Sequence, residues 1–197
     1  GNSIGGSSST TFPNLRFGNT FNNVNYQINQ NITCYDLIID RDNSYRQIFI
    51  NSPFLVTVNN NLIIKQPSND NINIVIINGG TLNVIGDCVL GSNDNNISHI
   101  AKLFVNSGLA TINGNITNWN STGNVGCEQI EINTGTLTLV QDLNMPRGSG
   151  IINVIGPGVI NFNGTSGVSL NLNSGAGISA QLNTVPNCTL NFAKGIA

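Results

Sequence analysis

Val75-Ile76-Ile77-Asn78-Gly79-Gly80 and Leu103-Phe104-Val105-Asn106-Ser107-Gly108 are two copies of one short pattern. Further copies are Ile48-Phe49-Ile50-Asn51-Ser52-Pro53, Ile130-Glu131-Ile132-Asn133-Thr134-Gly135 and Leu170-Asn171-Leu172-Asn173-Ser174-Gly175. Each reads apolar, any residue, apolar, Asn, small, Gly or Pro. A looser copy is Ile152-Asn153-Val154-Ile155-Gly156-Pro157-Gly158. The turn anchors at 53, 80, 108, 135, 158 and 175 are 27, 28, 27, 23 and 17 residues apart. Self-similarity at such a period is the mark of a stacked repeat.

A second short alternating run follows each turn, as at Leu82/Val84, Ala110/Ile112, Leu137/Leu139 and Ile160/Phe162. A polar corner comes next, and a third run begins near Cys88, Ile116 or Leu143. Alternation of period 2 bounded by Gly, Asn and Asp predicts strands and tight turns, and no period of 3.6 is sustained. One repeat cannot bury its apolar side alone. Stacking repeats buries a common core and pairs each strand with its counterparts about 4.8 Å above and below. The expected fold is therefore all-β: a single-chain parallel β-helix, or β-solenoid, with three short strands per rung. Rungs of 23–28 residues that shorten toward the C-terminal end predict a narrowing or two-faced cross-section there.

Composition agrees. Charged residues make up only 8% of the 197, with a formal net charge of −2, while Asn occurs 37 times. No Lys/Arg run is present, which argues against a nucleic-acid partner. No apolar run approaches the length of a membrane span. Residues 1–11 read as a flexible segment and 12–197 as one solenoid domain, with clear rungs from about 48. The tract 12–47 reads as an irregular first rung or cap. The start at Gly1 reads as a mature terminus left after cleavage, or as a remnant of expression. No capping helix is visible near Phe192, so the chain is either cut from a longer protein or paired at that end with a neighbour.

The repeat period and the Asn-turn pattern over roughly residues 24–192 resemble right-handed parallel β-helix proteins: secreted surface adhesins, autotransporter passengers, haemagglutinin-like domains and pectate-lyase-like enzymes. This resemblance implies an extracellular or cell-surface location and an adhesive or fibre-forming module. Alternatives are a carbohydrate-active β-helix enzyme and a glycan- or ice-binding module.

Candidate residues follow from the alignment. Asn51, Asn78, Asn106, Asn133 and Asn173 share one position and predict a structural ladder of stacked side chains. Phe49, Ile76 and Phe104 fall between inward residues of the first strand and predict an outward apolar stripe. Either the tract 12–47 covers the stripe, or it meets another subunit or a receptor. Partners are thus self-association or another subunit through the ends or the stripe, and a cell-surface or glycan receptor. Cys34, Cys88, Cys127 and Cys188 read as buried small hydrophobes or as disulfide cysteines of an exported protein.

No cofactor, no metal and no catalytic set is expected. Asp87, Asn115 and Asp142 stack at one corner, where Asx turn chemistry outweighs a carboxylate pair. Asp36, Asp40, Arg41 and Asp42 read as a solvated loop rather than a cation site. His99 reads as a polar loop residue. Six N-x-S/T sequons occur, at Asn31, Asn96, Asn115, Asn120, Asn163 and Asn187. A lattice- or glycan-binding face needs a flat array of aromatics or Thr. Trp119 and Tyr35 are isolated, and Thr81, Thr111, Thr136 and Thr138 do not fall on one repeated position.

Overall fold

The computed structural model describes residues 2–5, 9–18, 24–40, 45–68, 71–91, 98–118, 128–141, 143–145, 150–164, 168–170 and 181–193. Every regular element among them is a strand. In chain order these are β1 (Asn2–Gly5), β2 (Thr10–Phe17), β3 (Val24–Asn29), β4 (Ile32–Ile39), β5 (Arg46–Asn51), β6 (Leu55–Val58) and β7 (Leu62–Ile64). Then come β8 (Ile72–Val84), β9 (Cys88–Leu90), β10 (Ile100–Ile112), β11 (Ile116–Asn118), β12 (Glu128–Ile132) and β13 (Thr136–Leu139). The last are β14 (Leu143–Met145), β15 (Ile151–Val154), β16 (Val159–Phe162), β17 (Val168–Leu170), β18 (Gln181–Asn183) and β19 (Thr189–Phe192).

Every pairing is parallel, and the pairings sort into three faces. The first face is the ladder β1-β3-β5-β8-β10-β12-β15-β18. The second takes the first half of β2 and of β4, then β6, the second halves of β8 and β10, then β13, β16 and β19. The third takes the rest of β2 and β4, then β7, β9 and β11, with β14 and β17 paired above. The protein is a parallel β-solenoid.

Period-2 alternation builds the core. In β5, Arg46, Ile48 and Ile50 point inward, while Gln47, Phe49 and Asn51 point outward. One register up, Ile48 lies on Val75, then on Leu103, Ile130 and Ile152, all buried. Full burial of such side chains contributes about 1.5–3 kcal/mol each, and the stack repeats this at every rung.

Three expectations change. Asn2–Gly5 pairs with β3, and β2 and β4 pair in register, so regular rungs begin well before residue 48. The sequence hid them because Pro13 and short turns shift their spacing. The C-terminal end does not narrow within the described residues. Leu170 ends β17, which pairs with β14 on the third face, and the next first-face strand is β18, where Leu182 lies on Ile152. The copy at 170–175 is therefore a coincidence of an Asn-rich segment, not a first-face turn. Finally, β8 and β10 each run through the first corner as one bent strand. Gly79 (φ 83°) and Gly108 (φ 85°) make the bend, and the register shifts there.

Candidate functional site

The Asn ladder runs along the first corner. Asn133 Nδ2 donates to Asn106 Oδ1 at 2.9 Å, Asn106 to Asn78 at 3.1 Å, and Asn78 to Asn51 at 3.1 Å. Asn51 donates to Gln27 Oε1 at 2.7 Å and to Asn29 Oδ1 at 3.2 Å, so the ladder extends one rung further than its repeat predicts. Each amide donates downward and accepts from above. Asn173 lies outside the described residues. Above Asn133 the chain has Gly156, where a Cβ would stand 2.3 Å from Asn133 Oδ1.

The second corner is a ladder of a different kind. Asp36 Oδ1 accepts the backbone N–H of Asn61 at 2.9 Å, Asn61 Oδ1 accepts that of Asp87 at 3.0 Å, and Asp87 Oδ1 accepts that of Asn115 at 2.7 Å. Asp87 and Asn115 are thus neighbours as expected, and their chemistry is that of turn closure. Asp142 lies outside the described residues. Asp40 pairs instead with Arg16 and Lys65, each at 2.8 Å, away from Asp36. Arg41 and Asp42 lie outside the described residues. Glu131 pairs with Lys102 at 3.1 Å. Each described carboxylate therefore holds a structural partner.

Phe49, Ile76 and Phe104 do sit in consecutive register, and Glu131 follows them. They form no open patch, however. The two rings are half-buried, and Ile76 between them is only 7% exposed. The adjoining outward column is Gln47, Ile74, Lys102 and Gln129.

The second face corrects the sequence reading more deeply. Leu55, Thr81, Leu109, Thr136, Val159 and Thr189 stack in one outward column. Beside it stack Thr11, Thr33, Thr57, Asn83, Thr111, Thr138, Asn161 and Asn191. Thr81 and Thr136 thus share one column, and Thr111 and Thr138 share the other. No charged residue stands in either. Rows repeat about 4.8 Å along the axis, and columns lie about 6.7 Å apart across the strand. Side chains are fixed from within: Asn191 donates to Asn161 at 2.8 Å, and Asn161 to Thr138 Oγ1 at 3.1 Å. Leu109 is 52% exposed. Counting one and three residues past the turn glycines at 80, 108, 135 and 158 recovers both columns.

Comparison with protein-family models, with curated proteins and with solved structures finds no match. What this chain does must therefore be read from its own surfaces.

The interior holds one polar corner that sequence reasoning missed. Arg46, Asn73, Ala101 and Glu128 stack inward in register at the start of the first face. Arg46, Asn73 and Glu128 are buried, as is Gln66, whose Nε2 donates to Glu128 Oε1 at 3.2 Å. Asn73 Nδ2 donates to Lys65 O at 2.8 Å and Asp40 O at 3.2 Å, closing the turn between the third and first faces. Gly91 (φ 97°) leaves room for the Glu128 carboxylate, since a Cβ there would stand 2.4 Å from Oε1. Strand parity pointed these residues inward, but their charge suggested the surface. His99 is buried too, not an exposed loop residue.

Cys34 and Cys88 are buried free thiols on different faces. Cys188 is a half-buried free thiol, and Cys127 lies outside the described residues. Burial pushes the Cys34 thiol up to about 11 and that of Cys88 to about 12, with Asp36 and Asp87 adding to the effect. Among the described residues, no group of three or more His, Cys, Asp or Glu is placed to hold a metal.

Proposed function

We propose that the chain is an extracellular adhesive solenoid module that docks through its second face onto an uncharged, hydroxyl-bearing surface of regular repeat, such as a neutral polysaccharide. The observation that carries this reading is the pair of outward columns of Thr, Asn and aliphatic residues, unbroken by charge over the rungs from β6 to β19. Hydroxyl and amide groups at fixed spacing offer hydrogen bonds, and Leu55, Leu109 and Val159 add apolar contact. Because the backbone ladder and the internal side-chain bonds fix the array, docking costs little conformational entropy. The engagement of the described carboxylates in turns and ion pairs supports a scaffold over a polysaccharide-cleaving centre.

The experiment is sedimentation of the protein with insoluble cellulose or chitin, with frozen-solution ice shaping as a parallel arm. Binding to a polysaccharide that Thr111→Lys and Thr138→Lys abolish, and that Phe104→Asp leaves intact, supports the reading. Ice shaping alone would assign the face to ordered water instead. Binding that survives both Lys substitutions, or no binding in either arm, overturns it.

A further inference from the structure

Three asparagines in the chain precede glycine: Asn78, Asn113 and Asn163. This dipeptide is the most prone to spontaneous deamidation, because glycine places no side chain beside its own N–H. The glycine nitrogen attacks the Asn Cγ, a C–N bond forms, and Nδ2 leaves as ammonia with the glycine's proton. Water then opens the cyclic imide to Asp or isoAsp. The net change is one water in and one ammonia out, with one negative charge gained.

The solenoid treats the three sites differently. Asn78 is exposed, yet its Nδ2 donates to Asn51 and its Oδ1 accepts from Asn106. Ring closure must pull the amide out of both bonds. Asn113 Nδ2 donates to Asn83 Oδ1 at 3.0 Å and to Val84 O at 2.8 Å. Its would-be nucleophile is tied as well, since Gly114 N–H donates to Gly86 O at 2.9 Å. Asn163 lies just past the end of β16. Its backbone N–H donates to Leu139 O at 2.8 Å, while its exposed side chain is held in no ladder. Gly164 is buried, but ring closure is intramolecular and needs solvent only at the Asn163 side chain.

We infer that Asn163 is the deamidation site of the folded protein, and that the asparagine ladders protect Asn78 and Asn113. Conversion at Asn163 places a carboxylate two residues past Asn161, at the edge of the uncharged second face. It also removes the Asn163 sequon.

The test is incubation of the intact folded chain at mildly alkaline pH and 37 °C, followed by peptide mass spectrometry for the gain of about 1 Da. The expected result is conversion at Asn163 at least about tenfold faster than at Asn78 or Asn113, the factor set by two hydrogen bonds that must break first. In urea the three sites should convert at similar rates. In Asn51→Ala, which removes the acceptor for Asn78, conversion at Asn78 should rise while that at Asn163 stays unchanged. Equal rates at the three sites in the folded chain, or an Asn78 rate indifferent to Asn51→Ala in a variant still folded by circular dichroism, would overturn the inference.

Discussion

Asn106 Nδ2 donates to Asn78 Oδ1 at 3.1 Å from one rung above, and Asn78 repeats the gesture to Asn51 below. Each amide in this line is both donor and acceptor, so one truncation breaks two bonds. Asn78→Ala should cost about 1–2 kcal/mol, at the lower end for an exposed site. Asn78→Asp keeps the acceptor but loses the donor and brings a carboxylate against Asn51 Oδ1, so it should cost more than Ala. Urea unfolding of both variants gives the order. If Asp proves the milder substitution, the ladder is not a line of donated hydrogens.

How much of this was legible beforehand differs from residue to residue. Asn51, Asn78, Asn106 and Asn133 were legible because each precedes a turn by a fixed count, and the turn is where the repeat is least variable. The two columns of the second face were also written in that count, yet the Thr positions alternate with Leu, Val and Asn, so no single residue type marks them. Arg46 and Glu128 share the inward parity of Ile48 and Ile130. Their charge outweighed parity, because a buried ion is costly unless its surroundings answer it, and those surroundings come from Gln66, Asn73 and Gly91 on other strands. The segment after β16 misled because the first-face spacing there is 30 residues, from Ile152 to Leu182, and a chance Asn pattern filled the gap.

Two buried thiols make a pH prediction. Cys34 and Cys88 are held at about 11 and 12 by burial, against 9 for the free group. Above pH 9 the unfolded chain loses these protons while the folded chain keeps them. Stability should therefore fall as pH rises from 9 toward 11 and be flat with respect to these groups below 9. Cys34→Val with Cys88→Val, each beside Val or Leu neighbours in the core, should flatten the alkaline limb. A native-state thiol reagent at pH 8 should label Cys188 well before Cys34 or Cys88. Prompt labelling of Cys88 would mean that the core opens locally far more often than its packing implies.

Asn73 is a small test of the interior corner. Its amide satisfies two backbone carbonyls, Lys65 O and Asp40 O, which have no water at hand. Asn73→Ala should cost about 1–3 kcal/mol through those acceptors. Asn73→Leu fills the volume yet leaves the same carbonyls unanswered, so it should recover little. If Leu restores full stability in thermal unfolding, the corner is held by packing alone.

The bend of β10 at Gly108 separates two reasons for needing glycine. At Gly79 (φ 83°) the nearest atom to an added Cβ is Ser52 Cβ at 3.1 Å, so the chief obstacle is conformation. At Gly108 (φ 85°) a Cβ would meet Gly80 O at 2.3 Å and Gly79 C at 2.8 Å, so the rung below blocks it as well. Gly79→Ala should cost about 1–2 kcal/mol from left-handed strain alone. Asn accepts that conformation better than Ala, so Gly79→Asn should recover part of the loss. Gly108→Ala should cost about 3 kcal/mol or more, because the two rungs must part to admit the methyl group. Gly108→Asn should recover nothing, since its Cβ meets the same carbonyl. Urea midpoints of the four variants decide it: equal rescue by Asn at both sites would mean that only backbone conformation, and not the contact between rungs, selects glycine at this bend.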